Sequence, residues 1–179
     1  MVSYSYDLPF DHWVSGNKGP AYKILRGWQI VGTTRFTAGF PITLQETDDR
    51  SLCGCDGRGL HSLDLPNYNG QPSHTLDPRS SANHQYFDTS VFSAMTLGTP
   101  GDGNPRFFHG PGINNWDMAL HKDTHITERT ALEFRLEFFN LFNHAQVLNP
   151  VGNFIAGNFG QVTAARDPRI GQVALKLLF

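Results

Sequence analysis

Residues 131–142 read Ala-Leu-Glu-Phe-Arg-Leu-Glu-Phe-Phe-Asn-Leu-Phe, and this stretch decides the fold. Apolar and charged residues alternate along it: Leu132, Phe134, Leu136 and Phe138 are separated by Glu133, Arg135 and Glu137. A β-strand points successive side chains to opposite faces, whereas a helix would mix the two kinds along one side. The stretch therefore predicts a strand with one apolar and one charged surface.

The same alternation recurs elsewhere in the chain. The predicted strands are residues 2–8, 28–44, 115–125, 131–142 and 170–179. A medium linker (9–27), a tight turn (126–130) and two long loops (45–114 and 143–169) connect them. The pattern predicts an all-β fold, an antiparallel meander of about five amphipathic strands.

Composition excludes several classes of protein. The 179 residues carry a formal net charge of −2, so no basic surface for nucleic acid is indicated. Only 17% of the residues are charged and 14 are Phe, which is too apolar for a disordered chain. No window approaches the roughly 20 consecutive apolar residues that a membrane-spanning helix needs.

The lengths of the connections favour a membrane barrel over a soluble domain. A structureless loop as long as 45–114 is uncommon in a compact soluble domain. Short turns on one side and long loops on the other are typical of outer-membrane β-barrels, which would place 45–114 and 143–169 outside the cell. The alternative is a soluble β-sandwich that binds carbohydrate through its loop, with the alternating apolar residues as its core.

Seven segments, in order, resemble one family. They are Leu25-Arg-Gly-Trp-Gln-Ile30, Gly39-Phe-Pro-Ile-Thr43, His84-Gln-Tyr-Phe87, Arg106-Phe-Phe-His-Gly-Pro-Gly-Ile-Asn-Asn-Trp-Asp117, Glu133-Phe-Arg-Leu-Glu-Phe-Phe-Asn-Leu-Phe-Asn-His144, Phe159-Gly-Gln-Val162 and Ala165-Arg-Asp-Pro-Arg-Ile-Gly-Gln-Val-Ala-Leu-Lys-Leu-Leu-Phe179. Together they resemble the C-terminal part of the Oar-like, TonB-dependent-receptor-type outer-membrane proteins of Acidobacteria. Full-length members of that family add a carboxypeptidase-regulatory-like N-terminal domain and a plug to the barrel.

The resemblance implies a receptor or transporter of the Gram-negative outer membrane, not an enzyme. The expected partners are outer-membrane lipid, the remainder of the barrel with its plug, an unidentified transported ligand and, only through missing N-terminal regions, TonB. No nucleic acid partner and no cofactor are expected. Five strands cannot close a barrel, because the smallest have 8. With no plug and no signal peptide, the chain is expected to be a fragment that does not transport alone.

The last strand resembles the signal read by the barrel-assembly machinery. A terminal aromatic residue follows alternating apolar residues: Val173, Leu175, Leu177 and Phe179. Recognition by strand addition to an exposed edge would suit a bare C-terminal strand. The alternative is that Phe179 is simply a core residue.

The residues whose side chains could act in catalysis or metal binding are not predicted to form a catalytic, cofactor or metal site. Cys53-Gly-Cys55 lacks the further ligands of a metal site, and a disulfide between them would close a very small ring. His121 and His125 are four residues apart on a predicted strand, about 13 Å, too far to share one metal. Glu133, Arg135 and Glu137 are predicted to form a polar ladder facing the barrel lumen, not a pair of catalytic carboxylates.

Aromatic residues in the first long loop have two interpretations that the sequence leaves open. They are Tyr68, His84, Tyr86, Phe87, Phe92, Phe107 and Phe108. Exposed, they could bind a sugar or peptide. Buried, they would fold the loop onto itself.

Overall fold

The structure is a computed structural model that describes residues 1–10, 19–54 and 64–179. Its regular secondary structure is almost wholly β-strand. The strands are β1 (Val2–Asp7), β2 (Trp28–Thr37), β3 (Pro41–Ile42), β4 (Asn67–Tyr68), β5 (Phe92–Ser93), β6 (Phe108–His109), β7 (Ile113–His125), β8 (Ala131–Phe139) and β9 (Ile170–Leu178). The helix α1 (Pro20–Leu25) lies in the predicted linker, of which residues 11–18 are outside the described ranges. The described residues contain no helix with the length and apolar character needed to traverse a bilayer.

The five long strands form one antiparallel sheet in the order β1-β2-β7-β8-β9. Each strand pairs with the next long strand along the chain, so the sheet is a meander, as predicted. The sheet is not closed, because β1 pairs only with β2 and β9 pairs only with β8 among the described strands. The predicted fold class is therefore confirmed.

The predicted strand 28–44 is wrong at its C-terminal end. β2 ends at Thr37, and Pro41–Ile42 forms the separate strand β3, which pairs with β6 in a second sheet. Proline lacks the N–H that a continuous ladder requires. At Gly39 the backbone comes so close to the Gly110 carbonyl that a Cβ would lie 1.6 Å from its oxygen. The chain therefore leaves the large sheet here, and Ile42 is not part of its apolar face.

The remaining strand predictions differ from the structure by a few residues. β7 begins at Ile113 instead of 115, and β8 ends at Phe139 instead of 142. β8 stops early because Asn140 adopts a left-handed backbone conformation, with φ of 51°. Asparagine tolerates this conformation better than most residues, so it ends the strand at low cost.

The chain divides into two compact units. The sheet unit comprises Met1–Thr37, Ile113–Ala145 and Asp167–Phe179, and the loop unit comprises Ala38–Gly112 and Gln146–Arg166. The two predicted long loops thus account for nearly all of the loop unit, which contains β3, β4, β5 and β6. They are folded together, and are not independent structureless connections.

The loop unit has its own hydrophobic core. Its buried cluster consists of Ile42, Leu44, Phe87, Val91, Phe92 and Phe108. Tyr68, Tyr86 and Phe107 pack against this cluster, so these loop aromatics fold the loop onto itself. The interpretation that left them free to bind a sugar or peptide is therefore not supported for this group.

Two of the short motifs in the sequence pair with each other inside the loop unit. The segment His84–Phe87 lies beside 159–162: the Tyr86 amide donates to the Gly160 carbonyl at 2.8 Å, and the Val162 amide donates to the His84 carbonyl at 3.0 Å. Gly160 has φ of +76°, and a Cβ there would lie 2.5 Å from the Gln85 side-chain nitrogen. One contact between the two long loops therefore explains the residues found in these two motifs.

A second set of motif residues holds the end of the sheet unit. The carboxylate of Asp117 accepts hydrogen bonds from the Asn140 amide and the Asn115 side chain, each at 2.9 Å. The side chain of Asn140 in turn bonds the backbone of His144, at 3.0 Å to the carbonyl and 2.9 Å from the amide. Because Asn140 is buried, these partners are needed to satisfy its polar atoms.

Candidate functional site

One face of the large sheet is polar and contains the predicted lumen residues. Cross-strand register places Asp123, Glu133 and Lys176 in one row, and Ala119, Glu137 and Gln172 in another. Glu133, Arg135 and Glu137 share this face because they are two residues apart on β8. The structure thus brings the three residues together, on the same face as acidic, basic and amide groups of neighbouring strands.

Several polar residues of this face contact one another. Arg135 forms an ion pair with Glu133, and Gln172 donates to the carboxylate of Glu137. His121 lies with its Nε2 3.9 Å from Glu137 Oε1. Contacts of this kind are expected on a solvated polar wall, where each charge finds a partner at small energetic gain.

The opposite face of the sheet is apolar. Leu132, Phe134 and Leu136 lie opposite Leu177, Leu175 and Val173 of β9 respectively. The row of Leu136 and Val173 continues across the sheet through Leu120 of β7 to Ile30 of β2. The apolar residues that the alternation predicts to share one face of the sheet therefore do so.

No hydrophobic side chain of this face is buried in the described part of the sheet unit. All the buried hydrophobic residues of the described chain are in the loop unit: Ile42, Leu44, Phe87, Val91, Phe92, Met95, Phe108 and Val162. In the sheet, Val173 and Leu175 are each 66% exposed and Phe36 is 59% exposed. A soluble β-sandwich would bury these residues against a second sheet. The structure contradicts that alternative. Exposure of such a large apolar surface to water would be energetically unfavourable.

Aromatic pairs lie towards both ends of the sheet's apolar face. Trp28 meets Phe134 edge-to-face, with ring centroids 6.3 Å apart. Trp116 contacts Phe36 at 5.8 Å and Phe142 at 5.6 Å, also edge-to-face. Rings with a polar atom suit the boundary between lipid and water, so their positions agree with interfacial girdles.

Lys122 is an exception on the apolar face, and the sequence did not reveal its role. Its ammonium group lies over the Trp28 ring, 5.1 Å from the centroid. It donates to the carbonyls of Lys23 and Arg26, at 3.1 and 2.9 Å. These carbonyls are at the C-terminal end of α1, where a cation is favourable. A cavity of about 550 Å³ beside this contact is lined by residues of α1 and β7.

Replacing Lys122 with methionine should loosen the end of α1. The variant keeps most of the side-chain stem but loses both charge-assisted hydrogen bonds, a local cost of about 1–2 kcal/mol. We expect roughly tenfold faster hydrogen exchange at the Arg26 amide, which donates to the Tyr22 carbonyl at 2.9 Å. The control Lys23→Met removes a cation from the same helix but leaves these bonds intact. Equal acceleration in both variants would contradict the role of Lys122.

The predicted assembly residues lie on β9, which among the described strands pairs along one edge only, with β8. Val173, Leu175 and Leu177 of β9 share the apolar face, and Leu177 is 53% exposed. Phe179 follows the strand and is 99% exposed. Phe179 is therefore not buried in the described chain, and its role in assembly stays a prediction.

The cysteine motif is only partly described. Cys53 is disulfide-bonded, while Cys55 is outside the described residues. The Sγ of Cys53 lies within 4.8 Å of carboxylate oxygens of Asp49 and Asp64. A disulfide sulfur does not supply the thiolate that zinc sites use. His121 and His125 are on the continuous strand β7, as predicted.

The chain was compared with protein-family models, with curated proteins and with solved structures. The family model described as "Outer membrane beta barrel domain" matches residues 1–172. Searches of the curated proteins and of the solved structures found no match.

Proposed function

The chain belongs to the outer membrane beta barrel domain family, and we propose that within it the chain forms part of the wall of a TonB-dependent, Oar-like receptor. The observation that carries this proposal is the sheet with one uncovered apolar face and one charged face. Such a sheet is stable where lipid covers the first face and water the second. The proposed location is the outer membrane, with outer-membrane lipid as the direct partner of the apolar face.

Closure of the barrel requires more strands than the large sheet has. Within the described ranges, the outer edges of β1 and β9 have no partner strand. In a bilayer each unsatisfied backbone group costs several kcal/mol, and closed barrels have at least 8 strands. We infer that strands of the remaining barrel pair with these edges, and that the assembly machinery first contacts β9 through Val173, Leu175, Leu177 and Phe179.

The proposed transport role follows from the polar face. Glu133, Arg135 and Glu137 would line the lumen, where the plug of a TonB-dependent receptor sits. Contact with TonB would be made by N-terminal regions of the full protein, and the transported ligand is unidentified. The proposal includes no catalytic activity for this chain, no cofactor and no nucleic acid partner.

The orientation of the sheet can be tested by cysteine labelling on intact cells. In the full-length protein, Ala94→Cys places a thiol at an exposed position of the loop unit, and Glu128→Cys places one in the exposed turn between β7 and β8. We expect a membrane-impermeant maleimide to label Cys at 94 on intact cells, and Cys at 128 only after the outer membrane is permeabilised. Labelling of both sites on intact cells would contradict the proposed orientation.

The TonB-dependent role needs a separate test, because a passive barrel would give the same labelling. The full-length protein should bind the purified periplasmic domain of TonB, and deletion of its N-terminal TonB-contacting segment should abolish this binding. If the full-length protein inserts correctly but does not bind TonB, the barrel assignment stands and the assignment as a TonB-dependent receptor is contradicted.

A further inference from the structure

The short helix α1 is held against the apolar face of the large sheet by three hydrogen bonds. Lys122, which lies on that face, donates to the carbonyls of Lys23 and Arg26 at 3.1 and 2.9 Å. Trp28, opposite Lys122 in the register, donates its indole N–H to the Ile24 carbonyl at 2.9 Å. The last turn of α1 therefore lies beside the apolar surface of β2 and β7.

α1 is at the end of the sheet that contains the turn between β7 and β8. It precedes Trp28, the first residue of β2, and Trp28 pairs with Lys122, three residues before β7 ends at His125. In the proposed orientation this turn is periplasmic. The helix then lies where the apolar face meets the headgroups of the periplasmic leaflet.

A cavity of about 550 Å³ between α1 and the end of β7 is lined by cationic side chains. Those of Lys23 and Arg26 line it together with Tyr22 and His125, and the acid among its described lining residues is Asp123. Lys23 and Arg26 are exposed, and neither has an ion-pair partner among the described residues. The cavity thus offers two cations for one acid, and protonation of His125 would add a third.

The C-terminal end of a helix normally disfavours an anion, because its last carbonyls carry partial negative charge. In α1 the carbonyls of Lys23 and Arg26 already accept hydrogen bonds from the ammonium group of Lys122. That positive charge compensates the carbonyls. An anion in the cavity can therefore approach the side chains of Lys23 and Arg26 without this penalty.

An apolar surface adjoins the cationic cavity. Ile24 of α1 is 62% exposed, and the ring of Trp28 contacts Phe134 on the apolar face. A soluble phosphate ester would use the cations and leave this surface bare. An anionic phospholipid matches both, with its phosphate at the cations and its acyl chains along the sheet.

We propose that this cavity binds the headgroup of an anionic phospholipid of the periplasmic leaflet, with Lys23 and Arg26 as the ligands of its phosphate. Guanidinium and ammonium groups form strong charge-assisted hydrogen bonds to phosphate oxygens. The acyl chains then extend past Trp28 and Phe134. The site rests on the proposed location of the sheet in the outer membrane, and it names one lipid class as a specific partner.

Lipid selectivity of the full-length protein tests this site. Native mass spectrometry of the detergent-solubilised protein, with equal amounts of dioleoylphosphatidylglycerol and dioleoylphosphatidylcholine, should show preferential retention of the phosphatidylglycerol. Lys23→Gln and Arg26→Gln should each weaken its binding about fivefold, and the double variant roughly 25-fold. The control Arg129→Gln removes an exposed cation from the turn at the same end of the sheet and should bind as the wild type does.

Two further comparisons distinguish charge from structure and lipid from a soluble phosphate. Lys23→Arg keeps the charge and should retain phosphatidylglycerol, whereas a loss equal to that of Lys23→Gln would contradict the phosphate contact. Glycerol 3-phosphate in roughly hundredfold excess should displace little of the lipid, because it lacks acyl chains. Full displacement would overturn the assignment to a phospholipid.

Flotation with vesicles of phosphatidylcholine alone separates this proposal from the proposed function. The wild type and the double variant should both float, because insertion depends on the apolar face. A wild type that does not float would contradict the membrane location itself. A wild type that floats but retains both lipids equally, or an Arg129→Gln variant that loses as much binding as Arg26→Gln, would overturn the headgroup site alone.

Discussion

Truncation of Phe87 to alanine is expected to destabilise the loop unit by about 3–5 kcal/mol. Phe87 has 0% exposure and stacks on Phe108, with ring centroids 4.4 Å apart and planes inclined by 13°. It also meets Phe92 and Phe159 edge-to-face, at 6.2 and 5.3 Å. Phe159 belongs to the second long loop, so the substitution would leave a cavity where the two loops join.

Hydrogen exchange detected by mass spectrometry measures this effect locally. Peptides that cover 84–95 and 146–166 should exchange at least a hundredfold faster in Phe87→Ala, since each 1.4 kcal/mol is about a factor of ten. The control is Phe40→Ala, which removes the same side chain from a position in the loop unit that is 66% exposed. Its cost should be within about 0.5 kcal/mol. Comparable acceleration by the two substitutions would contradict the assignment of Phe87 to the core.

Replacement of Leu120 with arginine is expected to block insertion of the sheet into a bilayer. Leu120 is near the middle of β7 and lies between Ile30 and Leu136 on the apolar face. A charged side chain on the lipid face of a barrel costs about 2–4 kcal/mol at the bilayer midplane. If the apolar face meets lipid, the inserted fraction should fall by one to three powers of ten, about the same energy in equilibrium terms.

The neighbouring residue provides a control at the same depth. Ala119 is on the polar face, opposite Glu137, so Ala119→Arg would place a cation beside an acid in the lumen. Insertion of the full-length protein, which supplies the strands that close the barrel, can be followed by co-flotation with lipid vesicles. Flotation should persist in Ala119→Arg and be lost in Leu120→Arg. Loss of insertion in Ala119→Arg alone would reverse the assignment of the two faces.

The large sheet could be predicted because its signal is local. Alternation along β8 assigns Leu132 and Glu133 to opposite faces without knowledge of any other strand. The register then follows from short connections such as the turn between β7 and β8, which leaves little freedom in pairing. The grouping of Glu133, Arg135 and Glu137 on one face was predicted for the same reason.

The loop unit could not be predicted, because its contacts join residues that are distant in the chain. Ile42 and Leu44 continue the alternation of β2, yet they are buried in the core of the loop unit. The local pattern does not show that the chain leaves the large sheet after β2, because this depends on Pro41, on Gly39 and on pairing with strand β6. The Glu46–Asp64 bridge was missed similarly, since it gives no periodic signal. A weak indication was available in the density of acidic residues at 46–49.

The amino-acid sequence by itself therefore determined the strand alternation, the order of the meander and the separation of polar from apolar faces. These properties follow from the two-residue period of a β-strand, which can be recognised within each strand alone. Only the tertiary structure decided that the long loops share one core, that the described sheet buries none of its hydrophobic side chains, and that a buried Glu46 pairs with Asp64. Burial depends on which distant segments meet, and that is a property of the whole chain.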